Sequence, residues 1–203
     1  MRYCCDSPAW GLAGCTGMHS EASNQVRVRP EGAADVRVVD HVHREAFGDH
    51  GGVVAGLLAD LRPSAAVSLV AEAEAGVVGH VLCSPCLLDA PRRLVEVQTL
   101  TPLAVLPDQQ RQGIGTALVR AAAAMLADQG VPVLFLEGSP CYYGRLGFVA
   151  GAQLGFRRPS LRIPEPAFQA MLLPAHEPWM TGTAVFPDVF WRHDAVGLRN
   201  PEA

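Results

Sequence analysis

The chain has 203 residues, of which 49% are hydrophobic and 18% charged, and its formal net charge is −4. This length and hydrophobic content exclude a disordered chain and predict one domain with a full core. The acidic balance gives no general attraction to nucleic acid or to an anionic membrane. All 16 basic residues are arginine, which excludes lysine-based chemistry such as Schiff-base formation.

The first residues of the chain carry no hydrophobic periodicity. We expect a flexible leader over 1–25, a domain over 26–195 and a short tail over 196–203, and both Met1 and Met18 are open as the true start. Acidic and proline residues interrupt the apolar region that a secretory signal would need, and no apolar run is long enough to cross a bilayer. The sequence therefore favours a cytoplasmic protein.

The first half of the domain is predicted to contain two helices followed by a hairpin. Apolar residues recur at helical spacing over 31–47 and again over about 52–61. The apolar segments 66–72 and 77–83 are typical of strands, and a turn near Gly76 joins them into a hairpin.

The second half is predicted to alternate between strands and one long helix. A strand over 94–106 contains Pro102, which cannot donate a ladder hydrogen bond and so predicts a bulge or an end of pairing. A helix ends near Gln129 and leads to a strand over 132–137, which must run parallel to the strand over 94–106 because a helix connects them. Shorter strands are expected near 148–149, 167–173 and 183–186.

The turn before this helix contains Gly113 and Gly115. A glycine-rich turn at a helix start offers free backbone N–H groups and the positive end of the helix dipole, and together these bind phosphate. A Walker P-loop is excluded because it requires a lysine. A dinucleotide fingerprint matches poorly, since it needs glycine where Leu118 stands.

The sequence Gln-Arg-Gln-Gly-Ile-Gly at 110–115 resembles the pyrophosphate turn of the GCN5-related N-acetyltransferase (GNAT) superfamily. Downstream, Cys-Tyr-Tyr-Gly-Arg-Leu-Gly-Phe at 141–148 is similar to the second signature of that family, and the order of the two segments strengthens the match. The segments at 78–85, 139–143 and 182–190 look like the bacterial YhbS-type branch. The resemblance covers about 26–190.

This resemblance implies an α/β (α+β) acyl-CoA N-acyltransferase fold, in which a mixed, mostly antiparallel sheet with two splayed parallel central strands is flanked by helices. Acetyl-CoA is the implied cosubstrate, and its pantetheine arm occupies the gap between the splayed strands. The main chain of the first strand and the glycine turn are the implied cofactor-binding residues: Leu103, Ala104, Val105, Gln110, Arg111, Gln112, Gly113, Ile114, Gly115 and Thr116.

The resemblance also places Tyr143 at the position of the family's general acid. A free thiol titrates near 8.5 and a tyrosine near 10, so a protonated tyrosine can donate to the departing thiolate at neutral pH. The alternative for Tyr143 is a buried anchor with a satisfied hydroxyl. Tyr142 matches the adjacent aromatic position and is interpreted as a packing or cofactor contact.

No general base is assigned from the sequence. Many relatives carry a glutamate near the position that Thr99 or Thr101 holds here, whereas this chain has Glu96, which is further from the predicted bulge. His80, Glu137 or a chain of water molecules are the alternatives. His80 lies in an apolar strand, where a lone histidine is more often a satisfied core residue.

Cys83 and Cys86 have the C-x-x-C spacing of redox and zinc motifs. They end an apolar run, in which a free cysteine behaves as a small hydrophobic residue, and no second pair supplies further zinc ligands. We therefore expect no metal site.

The leading hypothesis is an N-acetyltransferase that transfers the acetyl group of acetyl-CoA to a primary amine by direct attack in a ternary complex. The acceptor amine belongs to a small molecule or to a peptide or protein; no nucleic acid or membrane partner is expected, and a homodimer is left open. The alternatives are a non-catalytic acyl-CoA-binding sensor or regulatory module, and a purely structural α/β domain.

Overall fold

The computed structural model describes residues 26–197. The predicted leader over 1–25, and the tail from 198 onward, lie outside the described residues. Val196 is fully buried and the amide of Gly197 donates to Glu137 Oε2 at 3.1 Å, so the packed chain extends past the predicted domain end at 195.

Nine strands form one mixed sheet, in the order β1-β2-β3-β4-β5-β8-β6, with β9 pairing with both β3 and β7. The β4/β5 and β7/β9 pairs are parallel and the other pairs are antiparallel. This confirms the predicted fold class. The strands are β1 Arg27–Pro30, β2 Val67–Ala73, β3 Gly76–Asp89, β4 Leu94–Val105, β5 Val133–Glu137, β6 Val149–Ala150, β7 Phe156–Arg157, β8 Phe168–Leu172 and β9 Gly182–Val185.

Helices cover both faces of the sheet. They are α1 Val36–Phe47, α2 Gly51–Leu61, α3 Ile114–Asp128, α4 Pro140–Tyr143 and α5 Asp188–Arg192. Val39 of α1 and Leu57 of α2 belong to the buried cluster on one face, and Leu118 of α3 belongs to the cluster on the other. We call these the α1/α2 face and the α3 face.

The first helix begins later than the periodicity over 31–47 predicts. Its regular part starts at Val36, after a short 3-10 turn. The Asp35 carboxylate accepts a hydrogen bond from the Gly32 amide at 2.8 Å and from Arg29 at 2.6 Å. These contacts fix the chain in a turn before the helix, because a side-chain acceptor offers the backbone an alternative to helical pairing.

Strand β3 is longer than the sequence predicts. Ser84 and Pro85 are typical of a strand end, yet the strand continues to Asp89. It continues because β4 pairs with it on one side, while β9 pairs with Leu87–Asp89 on the other.

The predicted interruption at Pro102 is confirmed. The register between β3 and β4 passes from Val81↔Leu103 to Cys83↔Leu100, so β4 carries an extra residue at Thr101–Pro102. This is a β-bulge.

The predicted splay of the parallel strands is also confirmed. Strands β4 and β5 share only the register pairs Gln98↔Leu134 and Thr99↔Phe135. Beyond Thr99 the two strands diverge, so the β5-facing main chain of β4 has no strand partner there. Within the described residues, no helix is long and apolar enough to cross a membrane.

Candidate active site

The turn between β4 and α3 has a backbone that can hold an anion. Arg111 and Gly113 both adopt left-handed conformations, with φ of 63° and 84°. Successive amides in such a turn form a concave donor site. Helix α3 begins at Ile114, so the amides of its first turn have no acceptor within the helix, and its positive dipole end faces the same point. This backbone fits a pyrophosphate.

A cavity of about 680 Å³ opens at this turn. Most of the predicted cofactor residues line it: Leu103, Val105, Gln110, Arg111, Gly113, Ile114, Gly115 and Thr116. Further lining residues are Gln109, Arg120, Tyr142, Arg145 and Leu146.

Two predicted cofactor residues do not line the cavity. Ala104 is buried, and its side chain packs in the cluster on the α1/α2 face, so it can serve only through its main chain. Gln112 is exposed and its amide donates to the Asp108 carbonyl oxygen at 3.3 Å.

The cavity is positively charged. Arg111, Arg120 and Arg145 line it, and no carboxylate of the described chain does. Arg120 and Arg145 were missed at the sequence level, although signals for both exist. Arg120 follows Thr116 by four residues, which places the two on one side of α3. Arg145 belongs to the second signature itself.

Where β4 and β5 diverge, one polar atom is left without a partner. The Gln98 side chain is 8% exposed, and its Oε1 is buried with no hydrogen-bond partner among residues 26–197. An unpaired buried acceptor costs about 1–3 kcal/mol. Gln98 thus carries a buried, unpaired acceptor one residue before the last register pair of β4 and β5, and the apolar run around it hides this feature in the sequence.

The two adjacent tyrosines occupy different places. Tyr142 lines the cavity, and its hydroxyl is hydrogen-bonded to Thr116. A Cβ on Gly115 would lie 2.5 Å from the same hydroxyl oxygen. Burial raises the pKa of Tyr142, and the Thr116 hydrogen bond partly opposes that effect. Tyr142 therefore closes the turn from the α4 side.

Tyr143 lies at the end of β5 instead. A Cβ on Gly138 would overlap its ring, and Phe148 packs against that ring edge-on at 5.7 Å. Burial raises the pKa of Tyr143 well above its usual value near 10, so it is a weaker acid than the sequence predicts. Tyr143 is not among the residues that line the cofactor cavity, whereas Tyr142 is.

The three candidate bases lie in different surroundings. Glu96 is exposed and precedes Thr99, where the gap begins, by three residues. The Glu137 carboxylate at the end of β5 accepts a hydrogen bond from the Gly197 amide. His80 is fully buried on the α1/α2 face, with both ring nitrogens hydrogen-bonded to other side chains.

Cys83 and Cys86 lie on opposite faces of β3. Cys83 packs in the cluster on the α3 face, and Cys86 packs in the cluster on the α1/α2 face. Side chains three apart on a strand point to opposite sides, so these thiols cannot form a disulfide with each other or share a metal ion. Over residues 26–197, no group of three or more His, Cys, Asp or Glu side chains could hold a metal ion.

Comparison with known proteins agrees with this geometry. The family model described as "Acetyltransferase (GNAT) domain" matches residues 64–150. The uncharacterized N-acetyltransferase YjhQ of Escherichia coli is 34% identical over 116 residues, which are 57% of this chain and 64% of YjhQ. The match thus spans somewhat less than two thirds of that curated relative.

Two solved structures are similar over most of their length. The GNAT family N-acetyltransferase YhbS of Escherichia coli, in complex with CoA, has 27% sequence identity and a TM-score of 0.76, covering 86% of this chain and 96% of YhbS. A GNAT family acetyltransferase of Brucella melitensis, in complex with acetyl-CoA, has 28% sequence identity and a TM-score of 0.63. The match covers 82% of this chain and 99% of the Brucella melitensis protein.

The splayed parallel strands, the anion-binding turn and these matches agree with one another. Accordingly, residues 64–150 match the acetyltransferase (GNAT) domain, and the chain is similar in fold and sequence to GNAT family acetyltransferases.

Proposed function

We propose that this protein transfers the acetyl group of acetyl-CoA to a primary amine, by direct attack in a ternary complex. The observation that carries the proposal is the juxtaposition of an anion-binding turn with a gap in the sheet. The turn offers main-chain donors and arginines for the phosphates, and the gap offers unpaired main-chain groups for an amide-containing arm. Two similar proteins were crystallised with CoA and with acetyl-CoA, which supports the same ligand here.

In this proposal, cofactor binding is shared between two parts of the site. The first-turn amides of α3 and Arg111 hold the pyrophosphate, with Arg120 and Arg145 adding charge. The main chain of Leu103–Val105 pairs with the pantetheine arm as a neighbouring strand would.

The same proposal assigns roles in the chemical step. The bulge at Pro102 frees a neighbouring amide to donate to the thioester oxygen as negative charge develops there. Tyr143 donates its proton to the departing thiolate, and its raised pKa keeps the hydroxyl protonated at neutral pH. The acceptor is a small-molecule amine or an amine of a peptide or protein.

The test is thiol release from acetyl-CoA across a panel of primary amines, with mass spectrometry of each product. We expect amine-dependent thiol release and a product heavier by one acetyl group. Tight acetyl-CoA binding without amine-dependent release would favour the sensor alternative instead. Absence of any CoA binding by calorimetry would favour a purely structural domain.

A further inference from the structure

A row of buried polar groups crosses the α1/α2 face of the sheet, outside the cofactor cavity. Glu31 Oε2 lies 2.5 Å from Ser68 Oγ, which lies 2.9 Å from His80 Nε2. His80 Nδ1 in turn lies 2.8 Å from His43 Nε2. Both imidazoles are fully buried. The row ends at His43 Nδ1, which is buried without a hydrogen-bond partner in the described part of the chain.

The direction of every hydrogen bond in this row follows from the end at Glu31, whose carboxylate is held by Arg62. Arg62 donates to Glu31 at 3.1 Å. Although burial alone would raise the pKa of Glu31, hydrogen bonds from His80, Ser68 and Arg62 lower it to about 2, so this carboxylate only accepts. Ser68 must donate its single proton to Glu31 and therefore accepts from His80 Nε2–H. His80 Nδ1 then accepts from His43 Nε2–H. These tautomers follow from the network and leave a lone pair on His43 Nδ1 without a donor.

Helix α1, which carries His43, packs against both β3 and β4, and the gap opens along the far side of β4. His80 and Ala104 are register partners on β3 and β4, and both side chains belong to the α1/α2 face. Neighbouring strands are about 4.8 Å apart, so His80 lies one strand away from the β4 main chain that is proposed to pair with the pantetheine arm. The cofactor cavity is on the α3 side, which leaves the α1/α2 face for the acceptor. At the end of α1 the partly exposed Phe47 ring covers the His43 ring, stacked at 6.0 Å.

We propose that His43 is the general base for the acceptor amine, and that His80, Ser68 and Glu31 are positioning residues that hold its Nδ1 lone pair free. The proposal rests on the proposed acetyl transfer. The amine nitrogen bonds to the acetyl carbon and the C–S bond breaks. The nitrogen loses one proton to His43 Nδ1, and the thiolate gains one from Tyr143. Proton return from His43 to the tyrosinate through solvent restores both groups.

The surroundings of His43 fix the form in which the acceptor must enter. Burial, followed by the neighbouring His80 and Arg62, lowers the pKa of His43 to about 3, so the ring is neutral and its lone pair is available at neutral pH. So weak a base does not deprotonate a free alkylammonium ion. It acts on the more acidic nitrogen of the tetrahedral adduct, and the acceptor therefore enters as the neutral amine.

The first experiment replaces the base. His43→Gln keeps an N–H donor toward His80 but offers an amide oxygen that does not take up a proton. We expect kcat to fall by about 10²–10⁴-fold with little change in KM for acetyl-CoA. The matched control is His41→Gln on the same helix, whose side chain is exposed and which should keep wild-type kcat.

The second experiment reverses the direction of the hydrogen bonds in the row without replacing either histidine. In Glu31→Gln, Arg62 still requires an acceptor, so the amide oxygen turns to Arg62 and the NH₂ group faces Ser68. Ser68 then donates to His80 Nε2, His80 Nδ1–H donates to His43 Nε2, and the His43 proton moves to Nδ1. We expect kcat to fall as in His43→Gln. Nitrogen-15 NMR of the histidine rings should report His43 as the Nε2–H tautomer in wild type and as the Nδ1–H tautomer in the variant.

The outcomes separate this proposal from the proposed function. A wild-type protein that releases no thiol with any amine overturns the acetyl transfer, and the role of His43 with it. Wild-type turnover combined with an unchanged kcat in folded His43→Gln overturns the base assignment alone. If His43→Gln does not fold, Glu31→Gln decides: a reversed tautomer with unchanged kcat overturns the proposal, and a reversed tautomer with a matching loss supports it.

Discussion

Tyr142 packs its hydroxyl against Gly115, so closely that a Cβ at position 115 would lie 2.5 Å from the Tyr142 oxygen. Tyr142 is also hydrogen-bonded to Thr116, the residue after Gly115, and this bond holds the Tyr142 side chain against the turn. The two signature segments, 110–115 and 141–148, therefore meet at Gly115, where a side chain would displace the Tyr142 hydroxyl. Gly113 is required for a different reason, because its φ of 84° is a left-handed conformation while nothing lies within 4 Å of its Cβ position.

Gly115→Ala should weaken acetyl-CoA binding with the fold intact. The added methyl group must push Tyr142 aside or move the first turn of α3, and either change misplaces the amides that face the pyrophosphate. We expect Kd to rise at least about tenfold, which corresponds to roughly 1.4 kcal/mol, by titration calorimetry. Gly144→Ala is the control, because Gly144 has a φ of −58° and nothing within 4 Å of its Cβ position. Equal affinity in the two variants would contradict the role of the turn.

Tyr143→Phe removes one hydroxyl and little volume, so packing and cofactor affinity should hold. If the hydroxyl protonates the thiolate, kcat should fall by about 10²–10⁴-fold with little change in KM. Because burial raises the pKa of Tyr143, the wild-type rate should show no loss from tyrosine ionisation up to about pH 10. Steady-state kinetics with Tyr142→Phe as the control checks this. If Tyr143→Phe keeps most of the wild-type turnover, Tyr143 is a packing residue and not the general acid.

The pair Cys83 and Cys86 should contribute to stability and not to chemistry. Both side chains are buried, and burial raises the pKa of the Cys83 thiol to about 12, which leaves it protonated and unreactive. Replacement of both by alanine removes packing on both faces of β3 and should cost roughly 1 kcal/mol or more in urea unfolding. Turnover per folded molecule should not change. Stoichiometric zinc in the purified protein would overturn this interpretation.

The buried row should make the protein acid-sensitive. The pKa of His43 is about 3 in the folded protein, whereas an unfolded histidine titrates near 6.5. Between these values the unfolded chain binds a proton that the folded protein does not, so stability falls as the pH falls from 6.5 toward 3. At about 1.4 kcal/mol per pH unit, His43 alone should cost roughly 3 kcal/mol by pH 4.5.

Glu31 adds to this loss at lower pH, because its pKa of about 2 in the folded protein lies below its unfolded value near 4.5. The measurement is the free energy of unfolding in urea from pH 7.5 to 4.5. The free energy of unfolding should depend less on pH in His43→Gln than in wild type. In His41→Gln it should depend on pH as in wild type. A parallel dependence in wild type and His43→Gln would show that His43 is protonated in the folded protein.

The sequence predicts the site best where function depends on the backbone. Gly113 and Gly115 can be interpreted directly, because left-handed turns and close approaches leave few other residues possible. Pro102 likewise predicts its bulge, because it lacks an amide proton. The helix start at Val36 and the end of β3 at Asp89 are set by contacts with distant segments, and local patterns do not contain that information.

Side-chain roles in the site were harder to predict. Arg120 lines the cavity because it lies on the same side of α3 as Thr116, and that side of the helix faces the cavity. His80 is an isolated polar residue in an apolar strand, and its meaning depends on His43, Ser68 and Glu31. Those three residues come from separate elements and meet only in the folded sheet.

Beyond Thr99, the side of β4 that faces β5 is an open strand edge in the interior of the sheet. Proteins commonly guard an outer edge with charged side chains, whereas Leu103–Val105 are all apolar. An extended segment of a second molecule can pair with this edge as readily as the amide arm of a ligand can. We therefore expect bound CoA also to protect this edge from pairing with a second copy of the chain. Light scattering of a concentrated sample stripped of CoA should show self-association that saturating CoA suppresses.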